Sequence, residues 1–277
     1  MSNRRQDTLY VSGYWHIPKR KMPHMGIARY IRLAPETLKM IAGKPLVFYY
    51  EEEFIGELIK RVCENYGVAL HLVRRPIVGL PARSEAVRIA REAGPEGLRG
   101  AAGPREKGMG HLNGMVFGDD RTEYENNLSV WLSKIRLLDE LFEDGTVPYG
   151  NIAWMDLGIS KFNFIRKNWD FTGFSGKNER RVLHFASNMR YLGERLPLNA
   201  SFLQAPGRLW PEIKGLMDNA LEGVMGDHYP HDEETILGSI VHENPNLFQC
   251  IGGGYDGRVG KLRYAYERIR HRGVRRF

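Results

Sequence analysis

The feature that most constrains the fold is an alternation of strand-like and helix-like segments in the first third of the chain. Residues 8–15, 46–50 and 68–73 are rich in β-branched and aromatic residues, which predicts strands. Amphipathic segments at 27–41 and 54–66 separate them and predict helices. Parallel strands need crossover connections, so this alternation predicts an α/β fold with a mostly parallel central sheet flanked by helices.

Local signals refine these boundaries. Pro35 suggests a break or a fresh start within the first helix, because proline removes a backbone donor. Gly67 is placed to end the second helix as a C-terminal cap. The strongest helical pattern spans 127–142, where apolar residues recur at helical spacing. Those residues are Trp131, Ile135, Leu138 and Phe142, widened by Leu128, Leu137 and Leu141. Further helices and strands are expected at 181–186, 200–204, 210–224, 231–243 and 246–251.

The length of 277 residues allows one large domain or two small ones, and we predict a single domain over residues 1–277. Within it, residues 94–110 hold six glycines and two prolines, which predicts a mobile loop that closes over a bound ligand as a lid. The net charge is +7, and arginine residues concentrate in a basic tail at 257–277. Basic residues also cluster near the start, at 4–5 and 19–21. These basic ends either bind a polyanion such as nucleic acid or only aid solubility.

The sequence also indicates a compartment. It has no apolar run of about 18 residues and no signal-peptide pattern at its start, so we expect no transmembrane segment. Its two cysteines, Cys63 and Cys250, form neither a disulfide framework nor a metal-ligand spacing, and both are expected in the core. A reducing, cytoplasmic location is the simplest interpretation.

Several common catalytic and nucleotide-binding motifs are missing. The sequence has no G-x-x-x-x-G-K-[ST] phosphate loop, no dinucleotide fingerprint, no zinc-type Cys/His set and no G-x-S-x-G elbow. P-loop, nicotinamide-dinucleotide, zinc and serine-hydrolase chemistry are therefore not indicated.

One acid stands out because of its position. An apolar segment at 152–155 predicts a buried strand that leads directly into Asp156 and then Gly158. A carboxylate is costly inside a strand but useful at its carboxyl end, where ligands of open α/β sheets gather. Gly158 would let a phosphate or sugar approach closely. The alternative is that Asp156 only caps the following turn.

An acid at a strand end, an acidic cluster at a late helix start and many aromatic residues together suit a sugar-nucleotide site. Carboxylate oxygens would hold a divalent cation that neutralises a leaving diphosphate. Another carboxylate would take the proton of an acceptor hydroxyl, and aromatic rings would stack on a base or a sugar.

Short motifs in order along the chain support a family resemblance. Val-Ser-Gly-Tyr-Trp at 11–15, the helix with Trp131 and Lys134, and Ala-Trp-Met-Asp-Leu-Gly at 153–158 resemble the HtrL/YibB-type bacterial family. Tyr-Pro-His-Asp-Glu-Glu at 229–234 and Asn-Pro-Asn-Leu-Phe at 244–248 resemble its C-terminal part. That family is similar to glycosyltransferases of the GT-A fold, so the resemblance implies a single GT-A-like, Rossmann-like domain.

The resemblance also implies roles on the donor side. Gly13, Tyr14 and Trp15 would line the nucleotide pocket, Lys134 would face the diphosphate, and Asp156 would contact a divalent cation (manganese or magnesium) or the donor ribose. For Lys134 the alternative is a solvated helix face.

On the metal and acceptor sides the resemblance is less complete. GT-A enzymes usually carry Asp-x-Asp, and Gly158 stands where the second acid would be, which places metal dependence in question. Asp232 or Glu233 would be the acceptor-side base. Helix capping is the alternative for both, because acids in a first turn complement the helix dipole.

These implications predict a glycosyltransferase that uses a nucleotide-sugar donor. Its acceptor would be a surface glycan or a hydroxymethylated base in DNA, with the basic ends on the phosphate backbone and Trp169 and Phe171 as stacking platforms. One rival is a nucleic-acid-binding protein without catalysis. Another is a degenerate transferase that only binds nucleotides.

Overall fold

The computed structural model describes residues 8–18, 26–92, 121–145, 149–161, 180–187, 190–191, 194–223 and 233–253. Several predicted features lie outside the described residues: the loop at 94–110, the tail at 257–277, Asp232, Trp169 and Phe171. The single-domain organisation over 1–277 stays a prediction.

Seven strands form one mixed sheet. In chain order they are β1 (Thr8–Tyr14), β2 (Pro45–Tyr50), β3 (Ala69–Arg74), β4 (Asn151–Met155), β5 (Val182–Ala186), β8 (Asn199–Pro206) and β9 (Phe248–Gly253). Their order across the sheet is β3-β2-β1-β4-β8-β5-β9, and β8 alone runs antiparallel to its neighbours. A separate two-stranded ribbon pairs β6 (Arg190–Tyr191) with β7 (Glu194–Arg195).

Helices cover both faces of this sheet. They are α1 (Ile27–Lys39), α2 (Glu53–Tyr66), α3 (Arg83–Glu92), α4 (Arg121–Glu143), α5 (Trp210–Gly223) and α6 (Glu233–Glu243). One face packs on α1 and α2 through residues such as Leu38 and Ile59. The other packs on α3 to α6 through residues such as Ile89, Leu132 and Ile213. Each face thus has its own apolar core, which buries β1, β2, β4 and β8 on both sides as a largely parallel sheet requires, whereas the edge strand β3 is partly exposed.

The predicted α/β class is therefore confirmed, and the order β3-β2-β1-β4 is that of the first half of a Rossmann fold. The three predicted strands and two predicted helices of the first third are present, and Gly67 caps α2 in the left-handed conformation with φ of 62°. The expected break at Pro35 was wrong, because α1 continues through it. The carbonyl that loses its partner there belongs to Ile31, which is exposed, so water can bind it.

Two side chains differ from their predicted burial. Phe142 was expected in the apolar stripe of its helix but is 39% exposed, because it lies in the last turn of α4 beyond the main core. Cys250 was expected in the core and is exposed, whereas Cys63 is buried.

Helix α4 is the element that positions the site. Leu128, Leu132, Ile135 and Leu138 are fully buried in its apolar core. Polar residues on the same helix are buried as well, including Lys134. A helix enclosed on nearly all sides can hold a charged side chain only where that side chain meets partners.

None of the described helices combines the length and the apolar character needed to cross a membrane.

Candidate active site

The topology places a crevice at the carboxyl ends of β1 and β4. From β1 the chain moves outward to β2 and β3, and from β4 it continues to strands on the opposite side of the sheet. Neighbouring parallel strands whose connections diverge in this way form a topological switch point, where open α/β sheets bind ligands. Val11 pairs with Trp154, so continuing the same register brings Gly13 level with Asp156.

A cavity of about 110 Å³ lies at this point. The six residues predicted to bind the donor all line it: Gly13, Tyr14, Trp15, Lys134, Asp156 and Gly158. Tyr30, Trp131 and Lys161 line it as well. The structure therefore brings the predicted donor residues together from three elements, although their binding to a nucleotide stays a prediction.

At the base of the cavity Lys134 forms a buried ion-pair cluster. Its Nζ lies 2.9 Å from Asp156 Oδ1 and 2.7 Å from Glu233 Oε1. The same ammonium donates to the Ala200 carbonyl at 3.4 Å and lies 5.7 Å from the centre of the Trp154 ring. Three acceptors match its three N–H groups, so the cluster formed by Lys134, Asp156 and Glu233 is internally satisfied. The alternative of a solvated helix face for Lys134 is wrong, because only 4% of its side chain is exposed.

These contacts fix the charges of the cluster. Burial alone would lower the pKa of Lys134, but the Asp156 and Glu233 carboxylates together raise it above its usual value. Burial would raise the pKa of Asp156, but Lys134 and the hydrogen bond from Trp154 hold it below its usual range. Both groups are therefore charged at neutral pH. The Trp154 indole donates to Asp156 Oδ1 at 2.6 Å, so this oxygen is fully engaged while 29% of the aspartate side chain remains exposed.

The two acids predicted on the acceptor side have different outcomes. Asp232 lies outside the described residues. Glu233 begins α6 and is buried, and it contacts Lys134 rather than lining the cavity. Its neighbour Glu234 accepts a hydrogen bond from the Ala200 backbone N–H at 3.1 Å. Glu233 and Glu234 both lie in the first turn of α6, where they also complement the helix dipole. A role of Glu233 or Asp232 as the base stays a prediction.

Aromatic rings form the walls of the cavity. The rings of Tyr14 and Tyr30 are tilted against each other with centres 4.9 Å apart. Burial raises the pKa of both phenols, so each keeps its proton at neutral pH and can donate a hydrogen bond. The Trp15 indole donates to the Arg75 carbonyl at 2.8 Å, which fixes the orientation of a ring that is 5% exposed. The half-buried Trp131 completes the aromatic lining.

The two glycines have a different role from the one expected of Gly158. A Cβ atom built on Gly158 would lie 3.1 Å from the Tyr30 ring, so this glycine makes room for Tyr30 within the protein. A Cβ atom on Gly13 would lie 2.6 Å from the Trp15 ring and 3.2 Å from the Tyr49 carbonyl. Gly13 therefore lets Trp15 pack beside the crevice, and an added side chain at Gly158 would require the Tyr30 ring to move slightly.

Replacing Gly13 with alanine is expected to lower the free energy of unfolding by about 1–3 kcal/mol, because Trp15 would have to leave its hydrogen bond to Arg75. Chemical denaturation measures the change. Gly215→Ala is the matched control: nothing lies within 4 Å of that position in α5, and alanine there should stabilise by about 0.5–1 kcal/mol. Equal effects of the two substitutions would contradict a packing role for Gly13.

The residues present do not form a ready site for manganese or magnesium. Within the described part of the chain, no group of three His, Cys, Asp or Glu residues could hold a metal ion. Asp156 Oδ1 and Glu233 Oε1, the carboxylate oxygens that converge at the site, already accept from Lys134. Oxygen ligands of this kind are what both metals require. No contact of Asp156 in the described residues tests the predicted divalent cation, which therefore stays a prediction.

Sequence analysis missed Tyr30 and Lys161. Tyr30 lies in the first turn of α1, and Lys161 ends a short 3₁₀ helix, Ile159–Lys161, that follows β4. Their positions in sequence were the available signal, because Tyr30 lies in the segment after β1 and Lys161 in the segment after β4, the two strands that flank the switch point. The strand order that defines the switch point is a property of the fold and cannot be obtained from local pattern.

Comparisons with known proteins give resemblances in fold only. A scan against protein-family models and a search of curated proteins found no match. Among solved structures, apo mouse xyloside xylosyltransferase 1 is similar with a TM-score of 0.46 and 11% identity, over 88% of this chain and 84% of that one. Two structures of the glycosyltransferase GlyE from Streptococcus pneumoniae TIGR4 have TM-scores of 0.41 and 0.39, each at 11% identity. They cover 97% and 86% of this chain, which spans 51% and 43% of theirs. With every TM-score below 0.5 we draw no conclusion about activity from them, and the HtrL/YibB-type resemblance stays a prediction.

Proposed function

We propose that the protein is a glycosyltransferase that moves a sugar from a nucleotide-sugar donor to a hydroxyl acceptor. The observation that carries this proposal is the cavity at the β1–β4 switch point, where a charged lysine–aspartate pair shares the lining with two tyrosines and three tryptophans. A donor of this class offers a flat base, hydroxyl groups and a diphosphate. The cavity supplies a matching chemical group for each.

On the donor side, Tyr14, Tyr30 and Trp131 offer faces on which a base or sugar ring stacks. Asp156 accepts hydrogen bonds from ribose hydroxyls through the part of its side chain that remains exposed. The cavity of about 110 Å³ is smaller than the roughly 300–1,000 Å³ of typical ligand sites, so it receives only part of the donor.

The chemical step is displacement at the anomeric carbon of the donor sugar. A base, Asp232 or Glu233, takes the proton of the acceptor hydroxyl, and the oxygen forms a bond to the anomeric carbon. The bond from that carbon to the diphosphate oxygen breaks, and its electron pair leaves with the diphosphate. Positive charge placed beforehand beside the leaving group stabilises the transition state.

The acceptor is a surface glycan or a hydroxymethylated base in DNA. The net charge of +7 favours a polyanionic acceptor, because phosphate contacts by Lys and Arg drive sequence-independent binding. A non-catalytic nucleic-acid-binding protein is the alternative, and it predicts salt-sensitive DNA binding without any response to nucleotide sugars.

A thermal-shift screen tests the proposal. We expect UDP-, GDP- or CMP-sugars to raise the melting temperature of the wild-type chain, because a ligand that binds only the folded state stabilises it. The variant Asp156→Asn should lose that shift, since an amide replaces the acceptor for ribose hydroxyls and the partner of Lys134. The screen is run with and without manganese. No shift with any nucleotide, together with salt-sensitive DNA binding, would reject the transferase in favour of the binding protein.

A further inference from the structure

We infer that this site binds the diphosphate of its donor without a divalent metal ion, with the Lys161 ammonium as the cation that contacts it and Lys134 as the fixed cation that neutralises Asp156. The inference rests on the proposed function, because it specifies how the same site compensates the charge of the leaving group. It departs from the manganese or magnesium ion that the Asp156 motif suggests.

The first argument is the position of the Lys134 ammonium. It lies 2.9 Å from one carboxylate oxygen and 2.7 Å from another, on side chains from β4 and α6. A divalent cation bridging Asp156 and Glu233 would have to occupy the same point and would bind the same two oxygens. The lysine also keeps a third bond, to the Ala200 carbonyl, which holds its Nζ in place. A built-in cation therefore already occupies the point between these two carboxylate oxygens.

The second argument is the tight packing around Gly158, where the missing acid would stand. Its Cβ position faces the Tyr30 ring at 3.1 Å and Leu33 at 3.8 Å. An aspartate there would have to displace the tyrosine before its carboxylate could reach the cavity. The packing around Gly158 thus leaves Asp156 as the described acid that lines the cavity, and within the described residues no group of three His, Cys, Asp or Glu side chains could hold a metal ion.

The third argument is the second lysine. Lys161 follows β4 at the end of the 3₁₀ helix, half-buried, and its side chain lines the same cavity as Asp156 and Lys134. Burial lowers the pKa of Lys161, and the cations Arg29 and Lys134 lower it further against the pull of Asp156. An incoming diphosphate would reverse this effect, because a nearby anion favours the charged ammonium. Two lysines thus converge on the crevice from α4 and from the segment after β4.

Calorimetric titration of the full chain with UDP and with GDP tests the inference. For the nucleotide that binds, we expect the Kd in EDTA and in manganese to agree within about threefold, because no metal ligand is being supplied. Lys161→Met should weaken binding in EDTA by about tenfold or more, since a charge-assisted contact to phosphate is lost. Lys161→Arg should retain most of the affinity. Lys60→Met is the matched control, because that lysine is exposed on α2 away from the cavity.

The outcomes separate this inference from the proposed function. Binding that tightens about tenfold or more with manganese would overturn the metal-free site and leave the transferase standing. A Lys161→Met variant that binds as tightly as wild type would overturn the role of Lys161. Failure of both nucleotides, and of every nucleotide sugar, to bind in either buffer would overturn the inference together with the proposed function.

Discussion

Replacing Lys134 with methionine is expected to lower the free energy of unfolding by about 3–5 kcal/mol, which makes it one of the most damaging single substitutions in the fold. Only 4% of the lysine side chain is exposed, and its Nζ lies 2.9 Å from Asp156 Oδ1 and 2.7 Å from Glu233 Oε1. Methionine keeps the length and apolar stem of lysine but leaves two carboxylates facing each other without a cation. Uncompensated buried charge costs far more than the loss of one contact.

Urea denaturation followed by circular dichroism measures the change. Lys60→Met is the control, because that lysine is exposed on α2. Substitution of an exposed residue changes stability little, so the control should cost no more than about 1 kcal/mol. Equal losses in the two variants would contradict a special role for the buried cluster.

A charge-free version of the cluster separates electrostatics from packing. The triple variant Lys134→Met, Asp156→Asn, Glu233→Gln removes the cation and both anions while nearly preserving side-chain volume. Because a buried ion pair can often be replaced by neutral groups at little cost, we expect the triple variant to recover much of the stability that Lys134→Met loses. A triple variant less stable than the single one would show that the lysine acts mainly by packing.

The donor side of the site could be predicted from sequence because it depends on local pattern. Gly13 lies at the carboxyl end of β1 and Asp156 directly follows β4, and parallel strands end at one edge of the sheet, so their proximity follows from the α/β class. Lys134 was identified only through the family resemblance. Its partner Glu233 lies 99 residues further along the chain, and no local pattern indicates that the two side chains meet. The ion-pair cluster is therefore a product of the fold.

Other features escaped prediction for specific physical reasons. Helix α3 buries mainly small residues such as Ala86 and Ala90, so it lacks the large apolar spacing that marks α2 and α4. Helix α1 passes through Pro35, because burial of Leu38 and Ala34 outweighs one lost hydrogen bond at the surface. The burial of His184 within β5 was not predicted either, because a histidine in an apolar strand can lie in the core or at the surface and the sequence does not distinguish the two.

That histidine gives the second large prediction, a loss of stability of about 3 kcal/mol as the pH falls from 6.5 to 4. Burial lowers the pKa of His184 to about 4, and its Nδ1 lies 3.0 Å from the Phe185 carbonyl, to which the neutral ring donates. In the unfolded chain the ring takes up its proton near pH 6.5. Between these values the unfolded state binds more protons than the folded state, so stability is full above pH 6.5 and falls with decreasing pH.

The difference between wild type and His184→Leu isolates this effect. Leucine cannot titrate, so the variant should lose the downward slope between pH 6.5 and 5, whatever its absolute stability. Ordinary carboxyl groups titrate below that range. Asp139 is an exception of opposite sign, because burial raises its pKa, and a raised carboxyl pKa adds stability as the pH falls. Asp139 is present in both proteins and cancels in the comparison.

His242→Gln, at an exposed position on α6, is the control and should keep the wild-type slope. A slope that persists in His184→Leu would mean that another group is responsible for the acid sensitivity.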